Sequence, residues 1–188
     1  GCRRVTHLPN GVEPVVGDRV ATRRELGLGD ELVLGFVGSM KPWHGAQRLP
    51  ALLDRLPGAV GLVVGGGGEV PGHPRLRRVG QVEEARVAHL VAAMDVALAP
   101  YGLDAPPWFN PLKILAYRAQ GTPIVAADVG DCAELVGDAG TVLPPGADPD
   151  EWAAAVRGWA GRRAPAHVRS WADVVGEGLA ALRAPTSV

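Results

Sequence analysis

Residues 108–127 read WFNPLKILAYRAQGTPIVAA, a helical pattern that runs directly into a strand pattern. Asn110 is a favoured N-cap residue, and Pro111 would then take the first helical position, where its missing N–H costs nothing. Gly121 follows the last periodic residue, as a C-terminal cap does, and a Thr-Pro pair breaks the chain before a short apolar run. The stretch therefore predicts a helix followed by a strand, with Asn110 as the N-cap.

The predicted helix has one apolar face and one residue that conflicts with stability. Leu112, Leu115, Ala116 and Ala119 recur at helical spacing and make the apolar face. Lys113 lies in the first turn, where the helix dipole favours anions, so its charge is mildly destabilising. An anion at the helix start would make both features favourable, because free N–H groups and an ammonium would converge on it. A solvated surface lysine is the alternative.

The composition is that of one soluble domain with a full core: 188 residues, 47% hydrophobic and 21% charged. A formal net charge of −1 gives no reason to expect a nucleic-acid or membrane-surface partner. Cys2 and Cys132 form neither a metal cluster nor a disulfide framework, which favours a reducing compartment. No apolar run approaches the roughly 18 residues of a membrane span. The chain starts with Gly rather than Met, so we expect a piece of a longer protein.

Apolar runs alternate with helical patterns along the chain. The runs predict strands at 32–37, 59–64, 78–82, 96–99, 124–127 and 141–143, besides a short extended segment at 5–8. Helical patterns occupy 18–28, 46–56, 83–93, 131–136, 149–160 and 167–182. This alternation predicts an α/β fold, a doubly wound and mostly parallel sheet of Rossmann-like type with helices on both faces. Such sheets bind ligands outside the carboxyl ends of their strands.

Two glycine-containing loops follow predicted strands. Gly38 and Ser39, with Lys41 nearby, would let the backbone approach a ligand and would add a charge for a phosphate. A simple strand-to-helix turn explains the same residues equally well. The run 65–68 is four glycines, which match neither the P-loop nor the G-x-G-x-x-G spacing. We expect a tight turn there, close to where a ligand passes.

The residues give little support for a metal site, a hydrolase or a glycosidase. His44 stands beside Trp43, whereas the remaining histidines are scattered without metal-ligand spacing. Ser39 and Ser170 lack plausible His and acid companions, which argues against a hydrolase. Three aspartates near strand ends could form a carboxylate pair by spacing, but a parallel sheet with phosphate-type loops makes a glycosidase a poor fit.

Five motifs occur in a fixed order along the chain. They are HLPNGVE at 7–13, FVGSMKPWHG at 36–45, VGQV at 79–82, NPLKILAYRAQGTPIVA at 110–126 and SW at 170–171. In this order and spacing they resemble the carboxyl-terminal, donor-binding domain of a family 4 glycosyltransferase, which is one half of a GT-B fold. The resemblance covers nearly the whole chain.

The resemblance implies a retaining transferase that takes a sugar from a nucleotide-diphosphate donor. It implies that Lys41 and Lys113 act as the catalytic residues by neutralising the leaving diphosphate, together with backbone N–H groups around Gly38-Ser39 and at Leu112-Lys113. This is electrostatic stabilisation and requires neither a metal nor a cofactor. The donor-binding residues that it implies are Gly38, Ser39, His44, Gln81, Val82, Tyr101, Phe109, Asn110, Pro111 and Leu112. Val82 and its neighbours would hold the base.

The chain departs from the family pattern at four positions. Ser39 and His44 stand where the family usually has Arg and Lys, although Lys41 is shared with a subgroup. The two family glutamates fall on Trp108 and Ala116, and the second normally hydrogen-bonds the donor ribose. Loss of such a bond costs roughly 1.5–3 kcal/mol of binding. The departures leave open a non-catalytic module with a degenerate donor site. An epimerase of the same two-domain fold agrees less well with the hinge and the motif helix.

The resemblance also implies a domain plan. Residues 1–14 would be a hinge, 15–165 the nucleotide-sugar-binding domain and 166–188 a C-terminal helix. The acceptor-binding N-terminal domain would lie outside this chain, which alone would bind a nucleotide weakly and turn over nothing. We expect a cytoplasmic location, with any contact to the inner face of the membrane made through that missing domain. The donor sugar, its base and the acceptor stay open.

Overall fold

A six-stranded parallel sheet forms the centre of the protein, which the computed structural model describes for residues 5–13 and 15–183. Its strands are β1 (Val33–Val37), β2 (Val60–Val64), β3 (Leu76–Gly80), β4 (Val96–Ala99), β5 (Ile124–Ala127) and β6 (Gly140–Leu143). They lie in the order β3-β2-β1-β4-β5-β6. The doubly wound, Rossmann-like sheet predicted from the sequence is confirmed.

The helices pack in two groups against this sheet. They are α1 (Arg19–Glu25), α2 (Leu49–Arg55), α3 (Glu84–Ala93), α4 (Leu112–Ala119), α5 (Cys132–Val136), α6 (Pro149–Trp159) and α7 (Trp171–Arg183). Helix α2 packs against α6, whereas α3 packs against α1 and α4. Strands β2, β4 and β5 are buried at every residue, as expected for continuous apolar runs covered on both faces.

The order of the strands reverses between β1 and β4. Residues Leu34 and Gly35 of β1 pair with Val96 and Ala97 of β4, although β2 and β3 intervene in the sequence. The chain therefore leaves β1 towards β2 and leaves β4 towards β5, in opposite directions along the sheet. Doubly wound sheets bind ligands at such a reversal.

Several predicted boundaries are wrong. The last helix begins at Trp171 rather than at 167, because the Ser170 side chain accepts from the Asp173 N–H at 3.1 Å and ends the preceding loop there. Strand β3 begins at Leu76 rather than at 78, because an edge strand tolerates polar residues and two arginines hide its pattern. The helix predicted from residue 46 begins at Leu49, after two short 3₁₀ turns. Residues 5–8 form no strand. The segment 5–13 packs instead against the start of α7, where the Val12 N–H donates to the Arg169 carbonyl at 3.0 Å.

The prediction that Asn110 caps α4 is also wrong. Pro111 is the N-cap residue and Leu112 is the first helical residue, and no side chain caps this end. The Asn110 side chain is used elsewhere: its Nδ2 donates to Asp131 at 2.8 Å, and its Oδ1 accepts from Asn10 at 2.9 Å. These two bonds join the segment before α1 to the loop after β5.

Among the described residues, no helix combines enough length with enough apolar character to cross a bilayer.

Candidate functional site

A large cleft opens at the carboxyl ends of the strands and has a volume of about 1050 Å³. It lies at the strand-order reversal and extends along α4 towards α3 and residues 11–13 and 15. Its lining includes most of the residues that the sequence predicts for the site, namely Gly38, Lys41, His44, Tyr101, Phe109, Asn110, Pro111, Leu112 and Lys113. The fold therefore brings residues more than 70 positions apart into one cleft.

Three predicted site residues do not line this cleft. Ser39 lies directly beside it and contacts the His44 ring, with 3.1 Å between its Oγ and the ring Nδ1. Gln81 and Val82 follow β3, which β2 separates from β1. Gln81 is exposed, and Val82 packs partly against the core. Their predicted contact with a base stays a prediction.

Lys113 places a buried amine in the cleft. Its Nζ is shielded from solvent and has no hydrogen-bond acceptor among the described residues. It lies 4.0 Å from the centre of the Phe36 ring and 5.2 Å from that of Tyr101. Burial lowers the pKa of Lys113 from 10.5 to about 7, because the charged form loses its hydration. An ammonium here lacks a counter-charge.

The position of Lys113 follows from how α4 is attached to the sheet. Ile114 and Tyr117, one and four positions after Lys113 in the helix, are fully buried. The Tyr117 hydroxyl accepts from the Val37 N–H at 2.9 Å and donates to the Leu98 carbonyl at 3.3 Å. These bonds tie α4 to the ends of both β1 and β4. The sequence analysis includes Tyr117 only within the motif at 110–126 and not in the apolar face, so its role as a tether was missed.

The backbone around Gly38 leaves room for the amine. Gly38 has φ of +139°, and a Cβ built there would lie 2.9 Å from the Lys113 Nζ. The Gly38 N–H donates to the Val64 carbonyl at 2.9 Å, so it is not free for a ligand as the sequence suggested. The amides of Ser39, Leu112 and Lys113 donate to no backbone carbonyl within the described part of the chain.

Four aromatic rings form a cluster on the other side of the cleft: Trp43, His44, Tyr101 and Phe109. Ring centres lie 4.0 Å apart for Trp43 and His44, and 5.1 Å apart for Tyr101 and Phe109. The Trp43 carbonyl accepts from the Gly102 N–H at 2.9 Å. Gly45 has φ of +76°, and a Cβ there would meet the Pro100 carbonyl oxygen at 1.6 Å. The cluster therefore depends on a close approach of the loops after β1 and β4.

His44 is held as a neutral ring. Its Nδ1 lies 2.6 Å from the Ser39 carbonyl, which can only accept, so Nδ1 carries the proton and Nε2 keeps a free lone pair. Burial lowers the pKa of His44, and the positive charges of Lys113 and Lys41 lower it further, although the Ser39 bond opposes them. The ring can therefore accept a hydrogen bond from a ligand.

The two lysines of the site differ in their surroundings. Lys41 is exposed, and its Nζ lies 5.9 Å from the centre of the Trp43 ring. It can follow a ligand at little cost, whereas Lys113 is fixed. The cleft thus offers one preorganised amine and one mobile ammonium.

The apolar face of α4 forms a wall of the same cleft. Leu112, Leu115, Ala116 and Ala119 all line it, and Leu112 is 57% exposed. Trp108 lines it as well and is 82% exposed. The two positions that hold glutamates in the family pattern thus face the cleft as an indole and a methyl group.

Most residues of the cleft lie within the part of the chain that matches a known enzyme family. The family model described as glycosyl transferases group 1 matches residues 31–160 of this chain. The chain belongs to the group 1 glycosyltransferases.

A curated relative in this glycosyltransferase family comes from Stackebrandtia nassauensis and is named D-inositol 3-phosphate glycosyltransferase. It is 34% identical over 179 residues, which cover 81% of this chain and 40% of that protein. The chain thus spans about two fifths of the length of the relative that it matches.

Solved structures share the fold. The sucrose-phosphate synthase of Thermosynechococcus elongatus superposes with a TM-score of 0.75 at 22% identity, over 94% of this chain and 51% of that one. Anabaena HepE, solved in complex with UDP-glucose, gives 0.68 at 24% identity, over 80% and 46% of the two chains. The sheet and its helices therefore correspond to one half of a GT-B glycosyltransferase.

Proposed function

We propose that this chain is the donor-binding half of a retaining glycosyltransferase that takes a sugar from a nucleotide-diphosphate donor. The observation that carries the proposal is the buried amine of Lys113, which has no acceptor within the described residues and lies in the cleft at the strand-order reversal. An unpaired buried charge is costly unless a ligand supplies its counter-charge. A diphosphate is such a ligand.

Lys113 would act through its fixed position. Charge develops on the diphosphate as the bond to the sugar breaks, and a preorganised ammonium stabilises that charge without reorganising. A bound diphosphate would raise the pKa of Lys113 above its lowered value of about 7 and keep the amine protonated. Lys41 would add a second charge from the exposed side. We assign neutralisation to these lysines rather than to a metal.

Neutral groups would complete the phosphate site. The amides of Leu112 and Lys113 are at the N-terminal end of α4, where the helix dipole also favours an anion. The Ser39 amide lies in the loop after β1. The His44 Nε2 would accept from a sugar hydroxyl, since its ring is neutral.

The nucleoside would extend from this point towards α3. Gln81 and Val82 would meet the base beyond β3, as the resemblance implies. Ala116 would lie beside the ribose but offers it no hydrogen bond. We therefore expect weak nucleotide binding by this chain, with the acceptor site supplied by a domain outside it.

A non-catalytic module is the second candidate, and the wall of α4 favours it. Leu112, Leu115 and Ala116 present an apolar surface to the cleft where a carboxylate would otherwise reach the ribose. Such a surface suits a protein contact better than a nucleotide.

Calorimetry of the chain with UDP, GDP, ADP and their sugars tests the proposal. We expect millimolar or tighter binding of one nucleotide, lost in Lys113→Met and unchanged by EDTA. Arg162→Met is the matched control, because it removes a positive charge that lies over Trp159, away from the cleft. No binding at millimolar ligand would contradict the proposal, as would equal losses in the two variants.

The variant Ala116→Glu separates the two candidates. A carboxylate at this position restores an acceptor for the ribose hydroxyls, so affinity should rise by roughly tenfold for a charge-assisted hydrogen bond. If neither Ala116→Glu nor Lys113→Met alters nucleotide binding, the interaction module becomes the better description.

A further inference from the structure

A second cavity lies on the other side of β4 from α4, between α2 and α6, with a volume of about 280 Å³. The residues that line it are Gln47, Arg48, Leu49, Ala51, Leu52, Leu98, Pro100, Ala147, Pro149 and Trp152. None of them lines the cleft described above. The cavity is therefore a separate site, and an inference about it does not depend on the proposed donor.

The walls of this cavity are apolar. Leu49 and Leu52 come from α2, Leu98 from β4 and the indole of Trp152 from α6. Leu49 and Leu98 are almost fully buried, so the walls are firmly packed. A wall of this kind accommodates a hydrocarbon or aromatic body of modest size.

One donor of the lining has no partner. Trp152 is only 4% exposed, and its Nε1 is buried without a hydrogen-bond acceptor among the described residues. Buried indole N–H groups usually find an acceptor, because leaving one unpaired is unfavourable. An acceptor brought by a ligand would satisfy it.

Arg48 adds a charge without a matching acid. Its Nη2 donates to the Pro145 carbonyl at 3.2 Å, which holds the side chain beside the cavity. None of the lining residues is an aspartate or a glutamate. A guanidinium of this kind recognises a carboxylate with paired, charge-assisted bonds.

We propose that this cavity binds a small amphiphilic carboxylate, with its apolar body against the leucines and its carboxylate between Arg48 and the Trp152 N–H. The apolar walls select the body, and the two donors select the charge. The volume limits the ligand to a short acyl or single-ring acid.

Nitrogen-15 NMR of the labelled chain tests this directly, because the Trp152 indole N–H gives its own signal, which Trp152→Phe assigns by deleting it. Hexanoate is the probe, 1-hexanol has a similar body without the charge, and acetate has the charge without the body. We expect hexanoate to shift the Trp152 signal saturably at millimolar concentration. We expect 1-hexanol to bind at least about fivefold more weakly and acetate to cause no shift.

The variant Arg48→Met should weaken hexanoate binding by about fivefold or more, as expected for a lost charge-assisted bond. Arg55→Met is the control, since Arg55 ends the helix that Arg48 precedes but pairs with Asp150 outside the cavity lining. The proposal is overturned if hexanoate leaves the Trp152 signal in place. It is equally overturned if 1-hexanol binds as tightly or if Arg48→Met has no effect.

Discussion

The buried charge of Lys113 is the main energetic cost of the ligand-free cleft. The fold buries its amine against Phe36 and Tyr101 without supplying an anion from the described residues. Such an arrangement lowers the stability of the ligand-free protein. Functional sites often lower the stability of the ligand-free protein in this way. A ligand that supplies the missing anion then meets a positive charge that is already in position.

We expect Lys113→Met to stabilise the ligand-free chain at low pH. The folded-state pKa is about 7, whereas an unperturbed lysine titrates near 10.5. Below about pH 7 both states are protonated, so the folded chain bears the whole cost of the buried charge. Between 7 and 10.5 the unfolded chain keeps a proton that the folded chain has lost, so the free energy of unfolding rises with pH.

The expected gain is on the order of 3 kcal/mol near pH 6, shrinking towards zero at high pH. Urea denaturation of the variant and the parent across this range measures it. Lys41→Met, which removes an exposed charge, should change stability by less than about 0.5 kcal/mol at every pH. A Lys113→Met variant less stable than the parent near pH 6 would contradict this account.

Donor binding should take up a proton at mildly alkaline pH. The Lys113 amine is then largely neutral in the free protein, and a bound diphosphate would recharge it. The suitable ligand is the nucleotide-diphosphate sugar that binds in calorimetry, with UDP-glucose as the first probe, because an esterified diphosphate does not titrate near neutrality. Calorimetry in two buffers of different ionisation enthalpy should reveal uptake approaching one proton, and Lys113→Met should show none. Binding by the parent chain without proton uptake would show that the amine is not at the diphosphate.

At the scale of elements, the sequence predicts strands better than it predicts which side of α4 is buried. Strands β1, β2, β4 and β5 are continuous apolar runs, and burial on both faces makes such runs easy to recognise. Helix α4 is apolar on two sides. The leucine and alanine face borders the cleft, and the side with Ile114 and Tyr117 enters the core. Periodicity predicts the leucine and alanine face, misses the side with Ile114 and Tyr117, and does not identify the neighbour of either side.

Contacts between residues far apart in the sequence also decide how the site residues are used, and sequence patterns do not reveal such contacts. The spacing of glycines and lysines identified Gly38, Lys41 and Lys113 as candidates. It could not show that the Gly38 amide is used within the sheet, since its acceptor, the Val64 carbonyl, is supplied by another strand. The Asn110 side chain was likewise assigned to its own helix, because Asp131 becomes its neighbour only when β5 pairs with β4.

The contact between the loops after β1 and β4 should be sensitive to one methyl group. Gly45→Ala would place a Cβ 1.6 Å from the Pro100 carbonyl oxygen, so the loops must separate. Gly58→Ala is the matched control, because Gly58 has a similar φ of +81° but nothing within 4 Å of an added Cβ. We expect Gly45→Ala to cost at least about 2 kcal/mol more than the control in denaturation. Equal costs would show that the backbone conformation, and not the contact, is the constraint.

At the scale of the whole molecule, the cleft exists only when the complete sheet is formed. Its lining comes from the loops after β1 and β4, from α3 and α4, and from the segment before α1. The core residues of these elements belong to one continuous hydrophobic cluster. Local unfolding of any central strand therefore removes the site. Ligand binding is for this reason coupled to the global unfolding equilibrium.

This coupling predicts that the donor stabilises the chain against global unfolding. A ligand that binds only the folded state adds about 2.7 kcal/mol at a concentration one hundred times its Kd. The denaturation midpoint should therefore rise with UDP-glucose, following the Kd from calorimetry, and the circular dichroism and tryptophan fluorescence transitions should shift together. Lys113→Met should be more stable without ligand and gain nothing from it. Calorimetric binding without any rise in the midpoint would show that the ligand also binds the unfolded chain, and the buried amine would then not be its receptor.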